Sequence, residues 1–365
     1  MAIVQDRESA LQDFYQEVRS KGLEPLWLVA HEANTDGPRL DVKPWIWRWR
    51  DIRPRMLQAG ELMGVGGEGA DRRVLTLKNP TFTRASMGSS RTLVAAVQMV
   101  YPGEEAPSHR HSMAALRFII EGEGAMTVVN GEPISMEPGD FLLTPGWCWH
   151  GHIHKGNSGP MLWLDVLDVP FVQSLDLGFY EEFSEPKHLQ PAERPVDDNL
   201  RRYGGTSLLP DGGPAPAEPY SPLFSYKWQR TRETLSALNE ADANPYDGLG
   251  VVYANPVTGG PVMPTIGASI HMLRPGQSTK AHRHTSTVIY HVAEGRGYSI
   301  LEGQHFEWER GDTFAVPNWC WHEHTATSET AVLFGADDSP MIKSVALYRE
   351  ETYPENGGHQ TVTGD

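Results

Sequence analysis

The sequence of 365 residues is poor in cysteine, with only two. Two cysteines exclude a disulfide scaffold and a cysteine-rich zinc site. Basic residues are also few, 31 against 47 acidic ones, so the formal net charge is −16 and neither nucleic acid nor an anionic membrane is an expected partner. No apolar run approaches the ~20 residues that cross a bilayer. The N-terminus lacks the basic and apolar regions of a secretory signal, so we expect a cytoplasmic protein.

Glycine and proline are frequent instead, with 36 and 28 residues, and such punctuation favours many short strands over long helices. At about 150 residues per domain, the length predicts roughly two domains. A helix is predicted from Ser9, and the aromatic stretch at 45–49 is expected to pack as an arm on a neighbour. We predict an N-terminal helix and aromatic arm at 1–73, a first β domain at 74–183, a Pro/Gly-rich linker with a short helix at 184–249, a second β domain at 250–348 and a tail at 349–365.

The two β-rich halves repeat one another. A His-Arg-His motif recurs 173 residues later (109 to 282), and a Trp-Cys-Trp-His motif ends 172 residues later (150 to 322). Such agreement predicts a duplicated β domain. The spacing G-x5-H-x-H followed by G-x5-P-x4-H resembles the two-part motif of the cupin superfamily. This resemblance implies an all-β bicupin, in which two small β-barrels of the double-stranded β-helix (jelly-roll) type follow an N-terminal helix and are joined through a short linker helix.

The histidines of each copy form a candidate metal site. His109 and His111 lie two apart on a predicted strand, so both project from the same face, and His150 can complete a set of three neutral imidazoles. Three nitrogen ligands suit a first-row divalent metal and leave positions open for substrate and oxygen. The second copy retains equivalent residues and could hold a second metal. These residues are His282, His284 and His322.

Neither copy has an acidic residue four or five positions after the second histidine of its motif. Ala115 and Leu116 stand there in the first copy, and Val288 and Ile289 in the second. A three-histidine site keeps the full +2 charge of its metal and therefore favours an anionic chelating substrate. This argues against a metal-dependent decarboxylase or isomerase that uses a fourth, carboxylate ligand. It favours an iron(II) dioxygenase acting on an oxyanion.

Arg117 lies in an otherwise apolar run and is predicted to be buried. A buried guanidinium needs a partner, which is either the carboxylate of a substrate or an internal acid such as Asp165. In the second copy the same position is Tyr290. The two copies thus share the metal-binding pattern but not the carboxylate clamp, and we place the chemistry in the first.

Three segments resemble the gentisate 1,2-dioxygenase family, with its salicylate and 1-hydroxy-2-naphthoate relatives. They are APSHRHSMAALRF at 106–118, EGEGAMTVVNGE at 121–132 and GDFLLTPGWCWHGH at 139–152. The resemblance implies cleavage of the ring of gentisate by O2, giving maleylpyruvate in aromatic-compound catabolism, with salicylate or 1-hydroxy-2-naphthoate as alternative substrates. It also implies one Fe²⁺ in the N-terminal barrel, a small aromatic hydroxy-carboxylate as substrate, and a homotetramer. A non-catalytic bicupin that binds a small anion is the alternative from another class.

The resemblance also assigns roles in the first barrel. His109, His111 and His150 are the implied iron ligands. Arg117 and Gln98 would hold the oxygens of the substrate, and Arg73 would add positive charge to the pocket. His152 would bind the substrate or move a proton, supported by Asp165; for His152 the alternative is a surface position.

Overall fold

The computed structural model describes residues 2–66, 70–83, 86–184, 188–205, 208–210, 218–327 and 330–363. It divides into two compact units, Met1–Arg39 and Leu40–Asp365. The first unit contains helices α1 (Ala2–Ser20) and α2 (Leu26–Ala33). The predicted N-terminal helix is therefore present and begins before Ser9. Across the described residues, no helix is both long and apolar enough to span a membrane.

The second unit contains the two β-barrels, which confirms the predicted all-β bicupin class. Each barrel packs a six-stranded sheet against a five-stranded one. The first barrel is built from β2 (Val74–Thr76), β3 (Val94–Val100), β4 (Glu105–His111), β5 (Ala115–Glu121), β6 (Ala125–Val129), β7 (Glu132–Ser135), β8 (Phe141–Thr144), β9 (His150–His154), β10 (Met161–Leu167), helix α4 (Val169–Ser174) and β11 (Tyr180–Glu182). The second is built from β13 (Leu249–Val252), β14 (Gly267–Leu273), β15 (His282–His284), β16 (Val288–Glu294), β17 (Arg296–Leu301), β18 (Gln304–Glu309), β19 (Thr313–Val316), β20 (His322–Ala326), β21 (Ala331–Asp337), α7 (Ser339–Ser344) and β22 (Glu350–Thr352).

Each barrel is completed by a strand and a helix that precede the other barrel in the sequence. These elements are β1 (Trp45–Trp47) and α3 (Trp49–Leu62) for the second barrel, and β12 (Ser225–Tyr226) and α6 (Trp228–Ala237) for the first, with α5 (Asp198–Tyr203) and a short 3-10 helix (Glu240–Asp242) nearby in sequence. β1 pairs with β19, and β12 pairs with β8. The aromatic arm thus packs on the second barrel of its own chain.

Buried aspartates fasten these exchanged helices. The N–H of Trp49 donates to Asp312 Oδ1 (2.8 Å), and the N–H of Trp228 donates to Asp140 Oδ1 (2.9 Å). Each carboxylate so placed also favours the positive end of the helix it caps. One hydrophobic core runs through both barrels, with Phe118 stacked on Phe334 at 4.6 Å. The barrels therefore share a core and do not behave as separable domains.

Two facing sheets of the first barrel position the candidate site. The five-stranded sheet, in the order β11-β4-β9-β6-β7, carries the histidines on β4 and β9. The six-stranded sheet, in the order β12-β8-β5-β10-β3-β2, carries Gln98, Arg117 and Asp165 on its three central strands. Arg117 and Asp165 are direct cross-strand partners, so their side chains emerge on the same face.

Candidate metal centre and active site

The three predicted ligands of the first barrel converge. One nitrogen from each of His109, His111 and His150 lies within 4.8 Å of the other two, and all three residues are buried. The pairing of His109 with His150 across β4 and β9 brings the two strands together at this point. His111 is two residues along β4, on the same face as His109. The sequence prediction of a three-histidine cluster is thus realised in the geometry.

The environment prepares these imidazoles to bind a cation. The Nδ1 atoms of His111 and His150 lie 2.8 Å from Met113 O and 3.0 Å from Cys148 O, so each Nδ1–H donates to a carbonyl and leaves Nε2 free as a ligand. Desolvation, helped by the charge of Arg72, lowers the pKa of His109 to about 2. Burial also lowers the pKa of His111 and puts that of His150 well below its ordinary value. All three rings are therefore neutral at physiological pH and fit a first-row divalent metal.

The second barrel contains an equivalent cluster of His282, His284 and His322, with ligand nitrogens again within 4.8 Å of one another. The Nδ1 atoms of His284 and His322 lie 2.9 Å from Ser286 O and Cys320 O, which repeats the arrangement of the first barrel. The two cysteines, Cys148 and Cys320, are free and buried, as expected for small packing residues rather than thiolate ligands.

Arg117 lies within reach of the first cluster but already has partners in the protein. Its Nε lies 2.8 Å from Asp165 Oδ1, and its Nη1 donates to Thr144 Oγ1 at 2.7 Å. The second alternative from the sequence, pairing with an internal acid, is therefore present. Neither Arg117 Nε nor Asp165 Oδ1 makes a well-aligned hydrogen bond, although both are buried. The pair thus retains hydrogen-bonding capacity that a ligand can use.

The positive charge expected from Arg73 is supplied by its neighbour. Arg73 is buried against Glu104, to which its Nη2 and Nη1 donate at 2.7 and 3.0 Å, and it contacts Met63 O. Arg72 donates to Pro107 O at 2.8 Å, and its charge lowers the pKa of the site histidines. Consecutive residues of an extended segment point in opposite directions, so a one-residue difference exchanges the structural arginine for the pocket arginine.

His152 and Gln98 complete the lining, and both are buried. His152 Nδ1 lies 3.0 Å from Thr127 Oγ1, whereas its Nε2 has no hydrogen-bond partner. Burial, with the charges of Arg117 and Arg72, holds the pKa of His152 well below its usual range, so the ring is neutral. The Nε2 of Gln98 is also enclosed without a partner. The surface alternative for His152 is excluded, and both free nitrogens are available to a ligand.

Sequence reasoning did not identify four residues that shape the site. Thr127 and Thr144 fix His152 and Arg117, Arg72 adds charge, and the ring of Tyr180 lies 5.0 Å from that of His109. The two threonines could have been found from their inward positions on strands that face the motif histidines. Tyr180 could not, because β11 reaches β4 from beyond the barrel sequence, where no motif marks it.

The duplicated barrels and their histidine clusters define a metal-type bicupin. A family model for the cupin domain matches residues 96–167 and 269–335. The chain is 35% identical to a 5-aminosalicylate 1,2-dioxygenase from Comamonas sp., over 98% of this chain and 94% of that protein. It is 38% identical to gentisate 1,2 dioxygenase 1 from Aquipseudomonas alcaligenes, over 93% and 95%. A crystal structure of salicylate 1,2-dioxygenase from Pseudoaminobacter salicylatoxidans, described as an adduct with gentisate, matches with a TM-score of 0.86 at 35% identity, covering 94% of this chain and 93% of that one.

The chain belongs to the gentisate and salicylate 1,2-dioxygenase family. The family predicted from the three sequence segments is confirmed, as is the expectation that the protein is a ring-cleaving dioxygenase. The alternative of a non-catalytic anion-binding bicupin is thereby set aside.

Proposed function

We propose that this protein is an iron(II)-dependent gentisate 1,2-dioxygenase that converts gentisate (2,5-dihydroxybenzoate) and O2 to maleylpyruvate in aromatic-compound catabolism. The observation that carries the proposal is the combination of three neutral imidazoles with two guanidiniums, those of Arg117 and Arg72, in one barrel. Neutral imidazoles bind iron, and planar guanidiniums bind carboxylates. Salicylate, 5-aminosalicylate and 1-hydroxy-2-naphthoate are alternative substrates within the family.

One ferrous ion would be held by His109, His111 and His150 in the N-terminal barrel. The fit rests on the Nδ1 contacts of His111 and His150, which leave a ligand nitrogen of each ring free. When bound, this ion supplies the redox chemistry that joins O2 to the aromatic ring. No external reductant is needed, because both atoms of O2 enter the product as one ring carbon–carbon bond breaks.

The side chains of the barrel bind and orient the substrate. Arg117 and Arg72 receive its carboxylate, and the free Nε2 of Gln98 donates to a ring oxygen. His152 takes and returns the proton of a ring hydroxyl at its enclosed Nε2, since Nδ1 is held by Thr127. Asp165 is a positioning residue, because its ion pair fixes the direction of Arg117.

The size of the substrate is set on β3, where Val94 and Ala96 lie on the same face as Gln98. Ala96 pairs directly with Asp165, so its methyl group is next to the proposed carboxylate position. Small side chains here leave room for a substituted or bicyclic ring. We therefore expect measurable activity on 5-aminosalicylate beside gentisate.

We further propose a cytoplasmic homotetramer. The N-terminal unit exposes large apolar side chains, among them Phe14, Leu26 and Trp27, with 43%, 65% and 66% of their surfaces accessible. Contiguous exposed apolar surface is typical of an interaction site. Light scattering on the purified protein would test this, and a monomeric mass at micromolar concentration would contradict it.

An oxygen-uptake assay tests the catalytic proposal. The protein is reconstituted anaerobically with Fe(II), and O2 is then admitted with gentisate, 5-aminosalicylate, salicylate or 1-hydroxy-2-naphthoate. We expect O2 uptake and maleylpyruvate absorbance with gentisate, and neither with a His150→Ala control. No uptake with any of the four acids would refute the proposed function.

A further inference from the structure

The second histidine cluster faces a pocket whose charged residues differ from those of the first. The register of β16 and β14 places Tyr290 at the position of Arg117, and His271 at that of Gln98. Gly335 stands where the first barrel has Asp165. Continuing from β13 by the same register, Gly248 corresponds to Arg72. Both guanidiniums that would receive a carboxylate are therefore replaced by uncharged residues.

Acidic groups approach this second pocket instead. After burial, the charges of Asp247 and Asp337 are the main influences that raise the pKa of Tyr290, which shows that both carboxylates lie near its hydroxyl. Glu350 pairs with His284 on β22, at the position that Tyr180 occupies beside His111. Lys343 contacts this region only over the ring of Tyr348, 4.5 Å from its centre.

The second pocket also contains several enclosed nitrogens without hydrogen-bond partners. In the described part of the chain these include His322 Nε2 and His282 Nδ1 in the cluster itself, and His324 Nε2 and His271 Nδ1 beside it. An unsatisfied buried polar atom costs about 1–3 kcal/mol. Four such atoms around one point are expected only where a metal ion or bound water completes them.

We propose that His282, His284 and His322 form a second divalent-metal site, completed by water or another neutral ligand, that does not accept an aromatic hydroxy-carboxylate. The carboxylates of Asp247 and Asp337 offset the +2 charge of the ion, whereas in the first barrel an anionic substrate performs that role. A carboxylate entering the second pocket would meet these acids and find no guanidinium. The comparison with the first site rests on the proposed function, but metal binding by the second cluster does not.

Iron counting and spectroscopy of the Fe(II)-loaded protein test this inference. We expect two ions per chain in the wild type and one in each of His150→Ala and His322→Ala. Nitric oxide added anaerobically gives each accessible ferrous ion an electron paramagnetic resonance signal. Anaerobic gentisate should then shift about half of the wild-type signal, all of it in His322→Ala and none in His150→Ala.

Two outcomes would overturn the inference, and both can be seen without any variant. One is a wild-type chain that holds a single iron, whose whole signal shifts with gentisate. The other is a chain with two irons whose signals both shift. Two irons per chain with no shift at all would instead refute the proposed substrate class, while leaving the second metal site supported.

Discussion

Adjacent arginines at positions 72 and 73 should give opposite phenotypes when each is replaced by methionine. Arg72→Met removes a charge that acts on the histidine cluster but makes only one hydrogen bond to the protein's own main chain beyond its neighbours, to Pro107 O. A hydrogen bond to a charged group contributes about 1.5–3 kcal/mol, and each 1.4 kcal/mol is tenfold in affinity. We therefore expect a ~10- to 150-fold fall in kcat/KM for gentisate, mostly through KM, with little change in the free energy of unfolding.

Arg73→Met should leave kcat/KM nearly unchanged and destabilise the fold. Its side chain is 1% exposed and that of Glu104 is 17% exposed, so the change leaves a largely buried carboxylate without its cation. Breaking a buried pair costs about 3–5 kcal/mol, and we expect ~2–3 kcal/mol here because Glu104 keeps some solvent contact.

Steady-state kinetics and denaturant unfolding of both variants provide the test, with Arg72→Lys as the charge-conserving control that should recover part of the affinity. Loss of kcat/KM in Arg73→Met at unchanged stability, together with a neutral Arg72→Met, would refute the assignment of the two arginines.

Three further predictions concern the metal cluster, a buried acid and the substrate. His150→Ala should abolish O2 uptake with gentisate, whereas His322→Ala should keep most of it; equal losses would contradict catalysis in the first barrel. Burial raises the pKa of Asp338 to about 7, so the native state keeps a proton that the unfolded state releases, and stability should fall as pH rises from about 4 to about 7. Asp338→Asn should remove this fall and be the more stable protein at pH 8, by on the order of 4 kcal/mol at most, as measured by denaturant unfolding at pH 4 and pH 8; an unchanged pH profile would argue against the buried proton. Ala96→Leu should lower kcat/KM for 1-hydroxy-2-naphthoate more than for gentisate, and an equal effect on both would place the ring away from β3.

The repeat allowed the fold and the metal clusters to be predicted from sequence, because both depend on local spacing. Two histidines separated by one residue on a strand share a face wherever that strand lies. The Asn130-Gly131 hairpin is equally local: both residues have positive φ, 45° and 76°, between β6 and β7.

Features that depend on distant pairing could not be predicted in this way. The choice between Arg72 and Arg73 depends on which of them faces the barrel interior, and that is fixed by where β2 joins β3. The exchange of β1 between barrels leaves no trace in spacing, since β19 lies more than 260 residues later. The pairing of Arg117 with Asp165 was one of two alternatives, and only the register of β5 and β10 identifies it.

The contacts between the barrels explain how one histidine cluster can serve catalysis while the other has a different environment. Asp168 of the first barrel accepts a hydrogen bond from Thr265 (2.5 Å), and Asp338 of the second accepts one from Thr92 (2.6 Å). Each barrel thus holds the segment that leads into the other, and the first cannot keep its shape without the second. This requirement falls on the interface, and the side chains inside the second barrel are not bound by it. Replacement of Arg117 by Tyr290 at the equivalent position changes the ligand that a pocket can accept without disturbing the shared core. The histidine clusters therefore specify metal binding, and the facing sheet of each barrel specifies which molecule joins the metal.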